Sequence, residues 1–121
     1  MKAEVKQYNS PEEYYTPERC FINETGNNSD DADVSISRAR IVPGVTTAWH
    51  QLTSTSERYI IISGIGEVEL DYAEPIKVNP GDIVKIPPGI PQRITNIHNE
   101  DLVFYCICSP RFQAENYVSL D

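Results

Sequence analysis

The sequence predicts a single all-β domain with short helical turns near its N-terminal end. From Val34 onward, short apolar or alternating runs are separated by turn residues such as Pro43 and Gly44, a pattern typical of a β-barrel or β-sandwich. No helical period is visible beyond the N-terminal segment. A chain of 121 residues is long enough for one domain with one core.

Helix signals mark the beginning of the chain. Ser10 can cap a helix, Pro11 suits a first turn, and Glu12 and Glu13 favour the positive helix end, so one or two helical turns are expected. Residues 19–22 then form a candidate short strand, and the polar segment 26–33 is expected to be a loop. We expect residues 1–33 to be an extension that packs on the barrel or is exchanged between barrels.

The remaining strands are predicted between residues 34 and 112. Residues 34–42 alternate in part, residues 58–62 are apolar like a strand covered on both faces, and residues 66–72 alternate cleanly. Runs 83–86 and 92–96 lie on either side of a Pro-Pro-Gly turn, and the run 102–108 follows a polar turn. The barrel is therefore placed at 34–112 and a C-terminal tail at 113–121.

Charge and composition exclude several classes of protein. Eighteen acidic residues against ten Lys and Arg give a net charge of −8, which disfavours non-specific binding to nucleic acid or to an acidic membrane. The longest apolar run is too short to span a bilayer, and no secretory signal is visible. The three cysteines, Cys20, Cys106 and Cys108, fit no redox or zinc spacing, so we expect buried thiols in a cytoplasmic protein.

Two stretches with fixed spacing carry most of the functional information. They are Gly44-x5-His50-x-Leu52-x4-Glu57-x6-Gly64 and Gly81-x5-Pro87-x-Gly89-x2-Gln92-x3-Asn96. The chain resembles the cupin superfamily, in whose two motifs histidines usually stand at the positions of Leu52 and Gln92. It is most similar to the cupin 2 group often labelled mannose-6-phosphate isomerase-like. The resemblance spans about residues 34–111 and implies a jelly-roll β-barrel with an axial pocket.

The resemblance also implies a metal position inside the barrel. His50, Glu57 and Gln92 stand at ligand positions, and together they form an incomplete set for one divalent transition metal such as Mn, Fe, Ni or Zn. Leu52 cannot bind a metal, and the amide oxygen of Gln92 is a weaker ligand than imidazole. The alternative is a buried hydrogen-bonded group of the same three side chains without a metal.

Four further residues are candidates for the pocket lining. Leu52 occupies the place of an inward imidazole, and Tyr59 shares the strand face of Glu57. Arg38 and Arg40 share one strand face with each other, so both would hold an anionic ligand if that face lines the barrel, and both would be solvated if it does not.

Two functions follow from this site, and no catalytic residue can be assigned in either. One is binding of a small molecule, which could be anionic, in the axial pocket. The other is a metal-dependent enzyme acting on a sugar phosphate or a small organic acid. A homodimer is also expected, formed through an outer sheet face or an exchanged N-terminal strand at residues 19–22.

Overall fold

The computed structural model describes all 121 residues and contains eleven strands and two single-turn 3-10 helices. The 3-10 turns are Ser10–Glu12 and Ala114–Asn116. The strands are β1 Tyr14–Tyr15, β2 Phe21–Gly26, β3 Ser35–Ile41, β4 His50–Leu52, β5 Ser56–Ser63, β6 Gly66–Leu70, β7 Ile76–Val78, β8 Ile83–Ile86, β9 Gln92–Asn96, β10 Leu102–Ser109 and β11 Tyr117–Ser119. The prediction of an all-β fold with short N-terminal helical turns is confirmed. No helix is long and apolar enough to cross a membrane.

The strands form two antiparallel sheets. The first has the order β1-β2-β3-β10-β5-β8, and the second has the order β11-β4-β9-β6-β7. Strand alternation decides which side chains enter the space between them. On β5, Glu57, Tyr59 and Ile61 are buried whereas Arg58 is exposed, because successive side chains point to opposite faces of a sheet. The inward side chains of both sheets make one apolar core that includes Ile41, Ile61, Ile94, Leu102 and Phe104.

Both terminal segments contribute strands to these sheets. β2 pairs with β3 of the same chain, with Phe21 opposite Arg40 and Ile22 opposite Ala39. β11 pairs with β4 and brings Tyr117 opposite Leu52. The sheets therefore extend beyond the barrel boundaries of 34–112 expected from the sequence. Within the run 19–22, Phe21 and Ile22 pair with β3 of the same chain. The segment before β2 also reaches the residues before β4, where the carbonyl oxygen of Glu18 accepts a hydrogen bond from the amide of Ala48.

The turn between β5 and β6 depends on Gly64. Its backbone has a φ of 83°, which only glycine adopts without strain. A Cβ at this position would also lie 2.5 Å from the carbonyl oxygen of Asp101 and 2.8 Å from the Cα of Leu102. Gly89 has a similar φ of 77°, but a Cβ there would meet no atom within 4 Å. Gly64 is therefore required for close backbone approach, whereas Gly89 is required only for its φ.

Candidate functional site

A cavity of about 170 Å³ lies between the sheets and is lined by side chains from both of them. Its lining runs from the buried Tyr59 and Phe104 to Tyr14 and Ile36, which are 48% and 40% exposed. Thirteen of the 22 lining residues are hydrophobic. The polar lining residues include His50, so the cavity has a mixed apolar and polar surface.

His50 is buried on β4, and neighbours from both termini hold its ring. The Nδ1 atom lies 3.0 Å from the carbonyl oxygen of Ala48 and 3.1 Å from Oε2 of Glu18. Both neighbours are acceptors, so Nδ1 carries the hydrogen and donates it. The ring of Tyr117 stacks on the imidazole with centroids 5.0 Å apart and an interplanar angle of 16°. The ring orientation is therefore fixed, and Nε2 is the nitrogen without a protein partner.

Glu57 places a carboxyl group in the cavity wall with only part of its hydrogen-bonding capacity used. The residue is 8% exposed, and its Oε2 accepts a hydrogen bond from the Cys108 thiol at 3.7 Å. Oε1 is buried and has no hydrogen-bond partner. Burial raises the pKa of the Glu57 carboxyl, and the charge of His50 and the amide of Gln92 offset part of that rise. A buried carboxyl with a free oxygen needs a donor or a cation.

Gln92 lies directly opposite His50 in the β4–β9 pair and is almost completely buried. The hydroxyl of Tyr59 donates a hydrogen bond to Oε1 of Gln92. The amide nitrogen Nε2 has no acceptor at hydrogen-bond geometry, although the amide contributes to lowering the pKa of the Glu57 carboxyl. The Gln92 oxygen is therefore already used, whereas its N–H group has no partner and Gln92 does not line the cavity.

A comparison with known families identifies the family of this chain. A family model described as a cupin domain matches residues 37–108. The chain belongs to the cupin family. An uncharacterised protein of Methanocaldococcus jannaschii, MJ1618, is 30% identical to this cupin over 118 residues, which cover 96% of this chain and 94% of that protein. The family predicted from the two motifs is thereby confirmed.

Solved structures show the same fold. A Klebsiella pneumoniae protein with a double-stranded β-helix domain superposes with a TM-score of 0.80 at 16% identity, covering 98% of this cupin and 99% of that chain. The Streptomyces nucleoside dehydratase Pac13 gives 0.78 at 15% identity and covers 97% and 92%. KdgF from Halomonas gives 0.73 at 18% identity and covers 83% and 88%. At these identities the likeness establishes the jelly-roll fold, and the isomerase-like label stays a prediction.

The side chains at the ligand positions of this cupin do not fit a divalent transition metal. His50 supplies the single imidazole, and Leu52 is a buried lining residue at the position of the second one. The oxygen of Gln92 already accepts a hydrogen bond from the Tyr59 hydroxyl. The remaining group of the amide is its NH₂, which is a donor and cannot bind a metal. No group of three His, Cys, Asp or Glu side chains is placed to hold a metal ion.

Arg38 and Arg40, candidates for the pocket lining, do not line the cavity, so the second of the two alternatives for their strand face applies. Alternation on β3 turns Ser37 and Ala39 inward and leaves the two arginines on the outer face. Glu13 lies 2.7 Å from Nη2 of Arg40 and 3.7 Å from Nη1 of Arg38. The hydrogen bonds from Arg40 lower the pKa of Glu13. The predicted arginine contact with an anionic ligand is therefore absent from the cavity.

The structure adds site residues that the sequence did not indicate. Glu18 reaches the cavity from the segment before β2, and Tyr117 reaches it from β11. Both come from segments that lacked a clear strand pattern, and no local signal links either of them to His50. The thiols of Cys20, Cys106 and Cys108 also line the cavity, and burial raises the pKa of each, that of Cys20 to about 12. These three residues are neutral thiols at neutral pH.

Proposed function

We propose that this cupin binds a small hydroxylated molecule in its cavity without the help of a metal ion. The observation that carries the proposal is the unpartnered oxygen Oε1 of Glu57, a carboxyl group that lines the cavity. This oxygen is an acceptor or, when protonated, a donor. A ligand hydroxyl can donate to it or accept from it, so a bound hydroxyl would satisfy this atom. Leaving such a group unpaired costs about 1–3 kcal/mol, which a bound ligand would recover.

The rest of the lining supports a ligand with an apolar side. Leu52, Ile94 and Phe104 form part of the hydrophobic majority of the wall, which also contains the polar groups of His50 and Glu57. Ligand sites of this mixed kind use a few placed polar groups for orientation and apolar contacts for affinity. No Lys or Arg lines the cavity, so the wall provides little for a phosphate or carboxylate. This argues against the anionic ligand and the sugar-phosphate substrate.

A metal-dependent enzyme is the second candidate, and one observation favours it. The Nδ1 group of His50 is held by the Ala48 carbonyl and Glu18, which leaves Nε2 toward the site, and metal-binding histidines are commonly oriented in this way. We rank this candidate second because Leu52 and Gln92 fail as ligands.

Elemental analysis and ligand screening separate the two candidates. Untagged protein from metal-replete medium should contain far less than one metal ion per chain. Neutral polyols should raise the melting temperature by mass action, with or without a chelator. Glu57→Gln should reduce that effect, whereas Glu74→Gln, the same change at an exposed loop position outside the cavity, should not. A stoichiometric metal that is lost on His50→Ala would instead support the enzyme.

A further inference from the structure

Acidic residues outnumber basic ones around the cavity. Glu18, Glu24 and Glu57 line it, and the lining contains neither Lys nor Arg. His50 is the one lining residue that can become positive, and its Nδ1 faces Glu18 at 3.1 Å. The nearby arginine Arg40 is engaged outside the cavity with Glu13 and Asp101. With a net charge of −8 on the chain, the cavity attracts cations and repels anions.

Five aromatic residues belong to the same lining as these carboxyl groups. The aromatic lining residues are Tyr14, Tyr59, Phe104, Phe112 and Tyr117. The face of an aromatic ring carries partial negative charge, and an ammonium group within about 6 Å of a ring centre is attracted to it. A lining of carboxylates and aromatic rings binds small organic cations more tightly than neutral molecules of the same shape.

Glu57 provides the independent observation that a ligand is expected among these groups. Its side chain is more than nine-tenths buried, and Oε1 lies in the cavity wall without a partner. Glu18 and Glu24 already have protein partners, in His50 and in the Tyr14 hydroxyl at 3.2 Å. Glu57 is thus the carboxyl group whose need for a donor or a positive charge is not met within the chain.

We infer that the molecule bound in the cavity carries a positively charged amino or quaternary ammonium group in addition to its hydroxyl. This inference rests on the proposed function, because it names the class of ligand for the same cavity. The cationic group lies among the aromatic rings and is neutralised by the cavity carboxylates. The hydroxyl pairs with the carboxyl group of Glu57. The ligand class is therefore that of small amino alcohols.

Three probes of nearly equal shape test the sign of the preferred charge. Choline is the cation, 3,3-dimethylbutan-1-ol is its neutral isostere, and 3,3-dimethylbutanoate is the anion. Calorimetric titration of the full-length protein at pH 7 should give choline at least tenfold tighter binding than the neutral alcohol, and no binding of the anion. Because buried charges are screened by salt much less than exposed ones, most of this preference should persist in 0.3 M sodium chloride.

Matched variants and a spectroscopic readout locate the binding. Glu57→Gln and Glu18→Gln should each reduce the preference for choline over the alcohol, whereas Glu74→Gln should leave it unchanged. The chain has two histidines, so the ring signals of His50 should move on binding while those of His98, outside the cavity, remain in place as an internal reference.

The outcomes distinguish this inference from the proposed function. If the neutral alcohol binds in the cavity as tightly as choline, the inference is overturned and the proposed function stands. The inference also fails if choline binding survives both cavity variants or disappears in salt, since the cation would then lie on the outer surface. If none of the probes moves the His50 signals, both the inference and the proposed function are contradicted.

Discussion

Glu57→Gln should change the stability of the ligand-free protein in a pH-dependent way. The substitution preserves the shape of the side chain and removes its ionisation. Burial raises the pKa of Glu57 in the folded state above the ordinary value of 4.5. Below that value the carboxyl is protonated in both the folded and the unfolded chain, so parent and variant should have similar stability. As pH rises, the unfolded chain releases the proton first, and the parent loses stability until the folded-state pKa is passed.

The size of this effect follows from the environment of Oε1. Each pH unit between the two pKa values costs the parent about 1.4 kcal/mol. Leaving a buried polar group without a partner costs about 1–3 kcal/mol, and we expect a total of this order. Glu57→Gln should therefore be more stable than the parent by this amount at pH 8 and nearly equal at pH 4. For a chain of this size we expect a difference in melting temperature of roughly 3–6 °C per kcal/mol.

Thermal unfolding between pH 4 and pH 8 measures the difference, with Glu74→Gln as the matched control. The protein should be dialysed extensively against chelator, so that no ligand or metal contributes. A difference that does not change with pH would refute the reasoning. A variant that is less stable than the parent at pH 8 would also refute the reasoning. That result would mean that Glu57 is ionised beside His50 and that the pKa of Glu57 is lowered by folding.

Three further predictions address the fold, the metal positions and the assembly. Gly64→Ala should destabilise the protein by several kcal/mol more than Gly89→Ala in chemical denaturation, because both residues have positive φ but only the first Cβ meets backbone atoms; equal losses would contradict the described turn. The double change Leu52→His and Gln92→His should raise nickel affinity by orders of magnitude in calorimetry, since it supplies the two missing imidazoles. If the parent protein binds nickel as tightly as the variant, its own side chains are a sufficient set of ligands. The protein should sediment as a homodimer at micromolar concentration. Ile83 is 60% exposed on the edge strand β8, so Ile83→Lys should shift the protein toward monomer. An unchanged sedimentation coefficient would exclude this face as the dimer interface.

Local sequence patterns predicted the strands whose side chains alternate or are strongly apolar. The runs 58–62 and 102–108 correspond to β5 and β10, because each carries enough β-branched and aromatic side chains to mark a strand without its neighbours. β7 and β11 have three residues each and were not predicted. In such short strands pairing with neighbours, rather than local propensity, determines the conformation.

Arg38 and Arg40 mark one limit of reasoning from alternation. A period of two establishes that both arginines share a face, but it does not tell which face is turned inward. The packing of Ala39 against the core decides this, because its small apolar side chain is 1% exposed. The arginines are then left outside, where Glu13 pairs with them.

The two motifs were enough to predict the family and the all-β fold, because their fixed spacings mark turns between short strands. The inward placement of His50 and Glu57 was implied by the resemblance to cupins. The contacts of Glu18 and Tyr117 with the His50 ring, and of Tyr59 with the Gln92 oxygen, were visible only in the folded structure. These contacts join residues far apart in the chain, so they arise from the closure of two sheets around one cavity and leave no local pattern in the sequence.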